Sequence, residues 1–179
     1  MKKLFAVFLV AVLACSCLAG CSNYDYLDEE SSSSQIENSE QSSENATSIY
    51  NVNWDTCIED TKTSISNPDF YDYLKDLYIE VDEAEKRITF SAVLSDSTSA
   101  DVALEYADTM VRQFNLFAQM QDSSIKSSSK DYYGGVYDSF SAIVGVAPLS
   151  KVDNSDEWYV YDAIAKGGKN KLKLNKAYQ

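Results

Sequence analysis

The sequence predicts an α+β domain. We expect a two-layer sandwich, with one long helix near residues 99–121 packed on a mainly antiparallel four-stranded sheet and a helical part before the first strand. Three observations predict it. Residues 99–121 carry apolar side chains at helical spacing. Four short segments alternate apolar and polar residues with the period of a strand. In order, the elements read α, ββ, α, ββ, with no internal repeat.

The first helical part rests on Trp54, Ile58, Thr61 and Ile65, which share one face at helical spacing. Tyr50, Val52 and Trp54 alternate and fit a short strand equally. Asn67-Pro68 stops the helix, and Pro68 opens a second, short helix through Asp76. Leu77, Ile79 and Val81 then alternate with Tyr78 and Glu80. Asp82-Glu83-Ala84-Glu85-Lys86 reads as a turn, and Ile88, Phe90, Ala92 and Leu94 continue the alternation.

The long helix opens at Ser97, Thr98 and Ser99, all N-cap residues, and Thr98-x-x-Asp101 has capping-box spacing. Ala103, Tyr106, Ala107, Met110, Phe114 and Phe117 share one face. Asp101, Glu105, Asp108, Arg112, Asn115 and Gln119 share the opposite face, which is expected in solvent. A membrane-surface helix carries bases on its polar face, and this one carries mostly acids. Its apolar arc is therefore expected against the sheet.

After a polar loop and the Gly134-Gly135 break, Phe140, Ala142, Val144 and Val146 alternate until Pro148, which cannot donate to a ladder. Trp158, Val160, Asp162 and Ile164 are expected on one face of a last strand, with Tyr159, Tyr161 and Ala163 on the other. Lys166, Lys169, Lys171, Lys173 and Lys176 follow with no acid between them. They read as a solvated tail or a basic edge strand, which would block sheet-to-sheet pairing.

The chain before this domain has two parts. Lys2 and Lys3 precede an apolar run from Leu4 to Leu13, of the length of a signal h-region. Leu18-Ala19-Gly20-Cys21 follows directly. These residues resemble the lipobox of bacterial lipoproteins. The resemblance covers residues 1–21 and implies a type II signal peptide, residues 1–20. It implies that diacylglycerol joins the Cys21 sulfur, that the chain is cut before Cys21, and that the protein is held on the extracytoplasmic face of a cell membrane. Residues 22–48 hold nine serines and seven acids with no Lys or Arg. So polar a stretch cannot offset its ordering entropy and is expected to be a disordered tether. Residues 49–179 are then the single folded domain, long enough for one core.

Charge and composition exclude several functions. The net charge of −13 argues against nucleic-acid binding. The absence of histidine removes Ser-His-Asp and Cys-His catalysis and the commonest zinc ligand. Cys15 and Cys17 belong to the signal and Cys21 to the lipid, so Cys57 is left as one thiol, expected as a buried small hydrophobe. Asp153-Asn154-Ser155-Asp156-Glu157 fails as a calcium loop, because Trp158 and Ile164 stand where glycine and glutamate are required. No cofactor motif is present in the chain after Cys21. Asp138 and Asp162, both expected in strands, are the nominees for a paired-carboxylate hydrolase acting on wall polymers.

Aromatic crowding is the more suggestive feature. Tyr71 and Tyr73, then Tyr132, Tyr133 and Tyr137, then Trp158, Tyr159 and Tyr161 are the candidate ligand-binding residues. Tyrosine and tryptophan offer rigid amphipathic surface at low entropic cost. The preferred reading is a non-enzymatic binding or accessory domain of the cell envelope, facing a protein partner or a wall glycan.

Overall fold

A computed structural model describes residues 49–179. The expected signal peptide, lipobox with Cys21 and tether lie outside the described residues. No described helix is long and apolar enough to cross a membrane.

The described chain runs α1 (Trp54–Ile65), β1 (Leu74–Asp82), β2 (Arg87–Leu94), α2 (Ala100–Gln121), α3 (Val136–Ser139), β3 (Ser141–Pro148) and β4 (Val160–Ile164). The four strands form one sheet in the order β1-β2-β3-β4. The α+β expectation holds. The outer pairs are antiparallel, whereas β2 and β3 are parallel, with Ile88 opposite Ala142 and Phe90 opposite Val144. The parallel pair follows from α2, since a chain that crosses a sheet by one helix re-enters in the same direction.

Local chemistry sets the helix ends. Asn53 caps α1 by accepting from the Thr56 N–H at 3.0 Å. Residues 50–52 form no strand. Ser99, not Thr98, caps α2 through the Val102 N–H. No helix follows Pro68. The Asn67 carbonyl instead accepts from both Phe70 and Tyr71 N–H, closing turns before β1. The β1–β2 turn places Lys86 at φ 49° and is tied by Glu85 N–H to the Asp82 carboxylate at 2.9 Å.

The core lies between the sheet and α2. Ile79, Ile88, Phe90, Ala92, Leu94, Val144, Val146, Val160 and Ile164 are buried against Tyr106, Met110 and Phe114. Burying a side chain of this size contributes roughly 1.5–3 kcal/mol. Trp54 of α1 stacks on Phe114 at 5.9 Å and meets Phe140 edge-on at 5.2 Å.

The face of α2 expected in solvent is largely occupied. Asn115 is fully buried. Its Nδ2 donates to the Lys126 carbonyl and its Oδ1 accepts from the Val136 N–H, each at 3.0 Å. Gly134 makes room for it. A Cβ there would fall 2.0 Å from Asn115 Cγ, and the backbone stands at φ +119°. Arg112 pairs with Asp108 and donates to the carbonyls of Ser129, Lys130 and Tyr132, with its guanidinium 4.8 Å from the centre of the Tyr133 ring. The loop between α2 and α3 is therefore laced onto the helix.

Two further expectations change. Asp138 lies in α3 rather than in a strand. The residues after Ile164 form no edge strand. They turn back, with Gly167 N–H bonded to the Tyr137 carbonyl and Asn175 N–H to the Tyr159 carbonyl. Leu172 is tucked in at 6 % exposure.

Each edge strand is guarded by a carboxylate. In β2 the even residues face β3, because the Lys86 carbonyl accepts from Ser141 N–H. Residues 77, 79 and 81 of β1 therefore turn their backbone outward. Asp76 caps the outward Leu77 N–H at 2.8 Å. On the far edge, Asp162 caps the Ala163 N–H at 2.8 Å and also accepts from Lys173 N–H at 3.1 Å. An N–H bonded to a neighbouring carboxylate is a poor template for another strand.

Asn115→Ala leaves the Lys126 carbonyl and the Val136 N–H buried without partners, which costs about 2–3 kcal/mol. Urea unfolding should show a lower midpoint at unchanged slope, and Gly134→Ala should be at least as damaging.

Candidate functional site

The helices pack against one face of the sheet, and the other is largely uncovered. Strand alternation turns Tyr78, Ser91, Gly145 and Tyr161 to this second face, and the register aligns all four in one row. The next row is Glu80, Thr89, Ile143 and Ala163. Tyr78 is 50 % exposed and Tyr161 56 %. They stand on the two edge strands, three strand spacings or about 14 Å apart.

Glycine in the middle of the row has a specific cause. A Cβ on Gly145 would come 2.5 Å from the benzene ring of Trp158. The indole occupies that space, with its N–H held by the carbonyls of Lys151 and Val152. Tyr161 meets Trp158 edge-on at 5.4 Å. Trp158 thus belongs to the open face, not to the face of Val160 as expected. The correction has a local reason. A 3-10 turn at Ser155–Glu157 leads into Trp158, and the strand starts only at Val160, so Tyr159 and Val160 are both buried and the alternation breaks between them.

The electrostatics of this face are uneven. The β1 flank carries Asp76, Glu80 and Asp82, of which Asp82 is paired with Arg87 at 3.4 Å. Burial and the neighbouring Glu80 carboxylate push the Tyr78 hydroxyl above its ordinary pKa, so it remains a proton donor. The centre holds Ser91, Thr89 and Ile143, and the β4 flank is aromatic. The surface offers ring faces, hydroxyls and negative charge to a partner.

The other candidate aromatics separate into three groups. Tyr133, Tyr137 and Tyr159 are core residues at 5 %, 1 % and 5 % exposure. Tyr137 donates to the Val111 carbonyl, Tyr159 to the Thr98 carbonyl, and Tyr133 accepts from Leu172 N–H. Tyr71 and Tyr73 are half-buried and packed edge-on against each other and against Tyr106. Tyr132 lines a hollow at the α2–α3 loop. Of the eight candidates, only Trp158 and Tyr161 meet on the open face. Tyr78 and Ile143 complete it; aromatic crowding does not single them out, although the inward Leu77, Ile79 and Val81 imply that Tyr78 points the other way.

The remaining nominees are held apart. Asp138 pairs with Lys126 at 2.9 Å, which keeps its carboxyl below the usual range, whereas Asp162 is committed to backbone N–H groups of Ala163 and Lys173. They line different hollows. Cys57 is fully buried with its thiol directed at the Phe114 carbonyl, and burial pushes its pKa from 9.0 up to about 12. That thiol is inert packing. No group of three or more metal-ligating side chains is present among the described residues.

No protein-family model, curated protein or solved structure matches the chain.

The buried groups set the alkaline limit of the fold. Burial raises the pKa of Cys57, Tyr106 and Tyr137 above their ordinary values. A group raised in the folded state stabilises fully below its unfolded pKa, and that contribution is lost as pH climbs toward the folded value. With no histidine to titrate, the unfolding free energy should be nearly flat from about pH 6 to 8 and fall above about pH 9. Cys57→Ala should flatten the decline between about pH 9 and 12 in denaturant titrations.

Proposed function

We propose that the protein is a lipid-anchored, extracytoplasmic binding domain of the cell envelope, and that its recognition surface is the uncovered sheet face. Diacylglycerol on Cys21 would hold it to the membrane, and residues 22–48 would let the domain reach away from it. Two acyl chains anchor a protein firmly where one does so only marginally. The observation that carries the reading is the row Tyr78, Ser91, Gly145 and Tyr161, with its two exposed tyrosines and the Trp158 ring over Gly145. Exposed aromatic clusters on a rigid sheet are a common basis of protein recognition, and flat rings also suit the apolar faces of sugars. A protein partner or a wall glycan fits this chemistry. A polyanion does not, because Asp76 and Glu80 flank the row.

The test compares variants in the acylated protein. Tyr78→Ala, Tyr161→Ala and Gly145→Ala, the last of which crowds Trp158, should each lower recovery of one discrete envelope component at least tenfold while the circular dichroism spectrum is kept. A tenfold loss corresponds to about 1.4 kcal/mol, an ordinary cost for a central interface residue. Cys21→Ala should move the protein out of the membrane fraction. Equal recovery by all three face variants would remove the sheet face as the site, and unchanged membrane partition of Cys21→Ala would remove the anchor.

A further inference from the structure

The two edges of the open sheet face are opposites in shape and in charge. At one edge, Tyr78 projects from β1 at 50 % exposure. At the other, Ile143, Tyr161, Asp162 and Ala163 line a shallow hollow of about 350 Å³. Charge divides in the same way. Asp76 and Glu80 stand on β1, and neither is in an ion pair among the described residues. The C-terminal tail runs beside β4, with Lys173 N–H on the Asp162 carboxylate and Asn175 N–H on the Tyr159 carbonyl. Leu172 and Leu174 of the tail pack on the core, leaving Lys173 exposed between them. Its ammonium group is in no ion pair among the described residues either. One edge therefore carries a knob and carboxylates, the other a hollow and an ammonium group.

We propose that the occupant of the sheet face is a second copy of this chain, packed face to face about a two-fold axis parallel to the strands. The inference rests on the reading of that face as the recognition surface, and names its partner. An axis in this direction lays β1 of each copy over β4 of the other, so each contact is made twice. Tyr78 enters the hollow beside Tyr161 of the second copy. Glu80 comes over Ala163 of the second copy, next to Lys173 of the second copy. An axis across the strands would instead lay β1 on β1 and set Asp76 and Glu80 against their own equivalents, which like-charge repulsion opposes. The arrangement is aligned sheet-on-sheet packing, with the sheets about 10 Å apart and the strands within about 30°. Edge-to-edge pairing does not compete, because Asp76 and Asp162 cap outward N–H groups at the two edges. A face about 20 Å by 20 Å offers roughly 400 Å² per copy, half of a standard interface. The pair is therefore weak in dilute solution and forms where attachment to one membrane concentrates the copies.

The experiment is photo-crosslinking of the full-length protein in the cells that make it, with the photoreactive residue at Tyr161. The adduct is weighed and its junction mapped by peptide mass. The expected product has twice the mass of the chain and joins Tyr161 to β1 of the second copy. Glu80→Lys and Lys173→Glu should each lower its yield roughly threefold, the scale of an exposed ion pair. Both changes in one chain should restore it, since the pair re-forms with its signs exchanged. A double-mass adduct joined to β4 overturns the proposed axis, and failure of the double change to restore the yield overturns the pairing. An adduct with a different envelope component overturns the second copy as occupant and leaves the sheet face as the recognition surface. No adduct at all overturns both.

Discussion

The parallel pairing of β2 with β3 is the constraint on which the rest of this structure depends. It forces the connection between them to be long, and α2 is that connection. One helix of 22 residues lies against one face and buries Tyr106, Met110 and Phe114 there. α1 packs against the same helix, through Trp54 on Phe114 and Cys57 on the Phe114 carbonyl. The helical mass is therefore on one side, and the opposite face keeps Tyr78, Ile143 and Tyr161 exposed. A two-layer domain with one bare sheet face needs devices against self-pairing. Asp76 and Asp162, each capping the next residue's outward N–H, supply them at the two edges.

Asn115 is the point at which the crossover is locked. A buried amide costs free energy unless its hydrogen bonds are made. Here both ends of the side chain are satisfied by backbone, one by the Lys126 carbonyl and one by the Val136 N–H, and the amide fits only because Gly134 lacks a side chain. The same loop brings Lys126 to Asp138 of α3, where the two pair at 2.9 Å.

Much of the fold was legible because local patterns are strong. The alternation from Leu77 to Leu94 located the first hairpin, the apolar arc from Ala103 to Phe117 located α2, and Pro148 closed β3. What escaped depends on contacts between distant residues. The buried Asn115 belongs to the face of α2 expected in solvent, and only Gly134, nineteen positions later, makes room for it. The phase of β4 was misread because the turn at Ser155–Glu157 resets the alternation, which moved Trp158 to the other face. For the site, Trp158 and Tyr161 were found by aromatic crowding, but crowding alone also drew in Tyr133, Tyr137 and Tyr159, whose hydroxyls serve the core. Crowding identifies amphipathic side chains and not the direction in which they point.

The central claim is that the bare sheet face meets the partner. Site-specific photo-crosslinking of the full-length protein in the cells that make it addresses it most directly, with the photoreactive residue at Tyr161 or Ile143 and, as controls, at Leu116 and Met120, which are exposed apolar residues of α2. The account predicts a discrete adduct from the two sheet positions and none from the two helix positions. Adducts from Leu116 or Met120 with none from Tyr161 and Ile143 would contradict it.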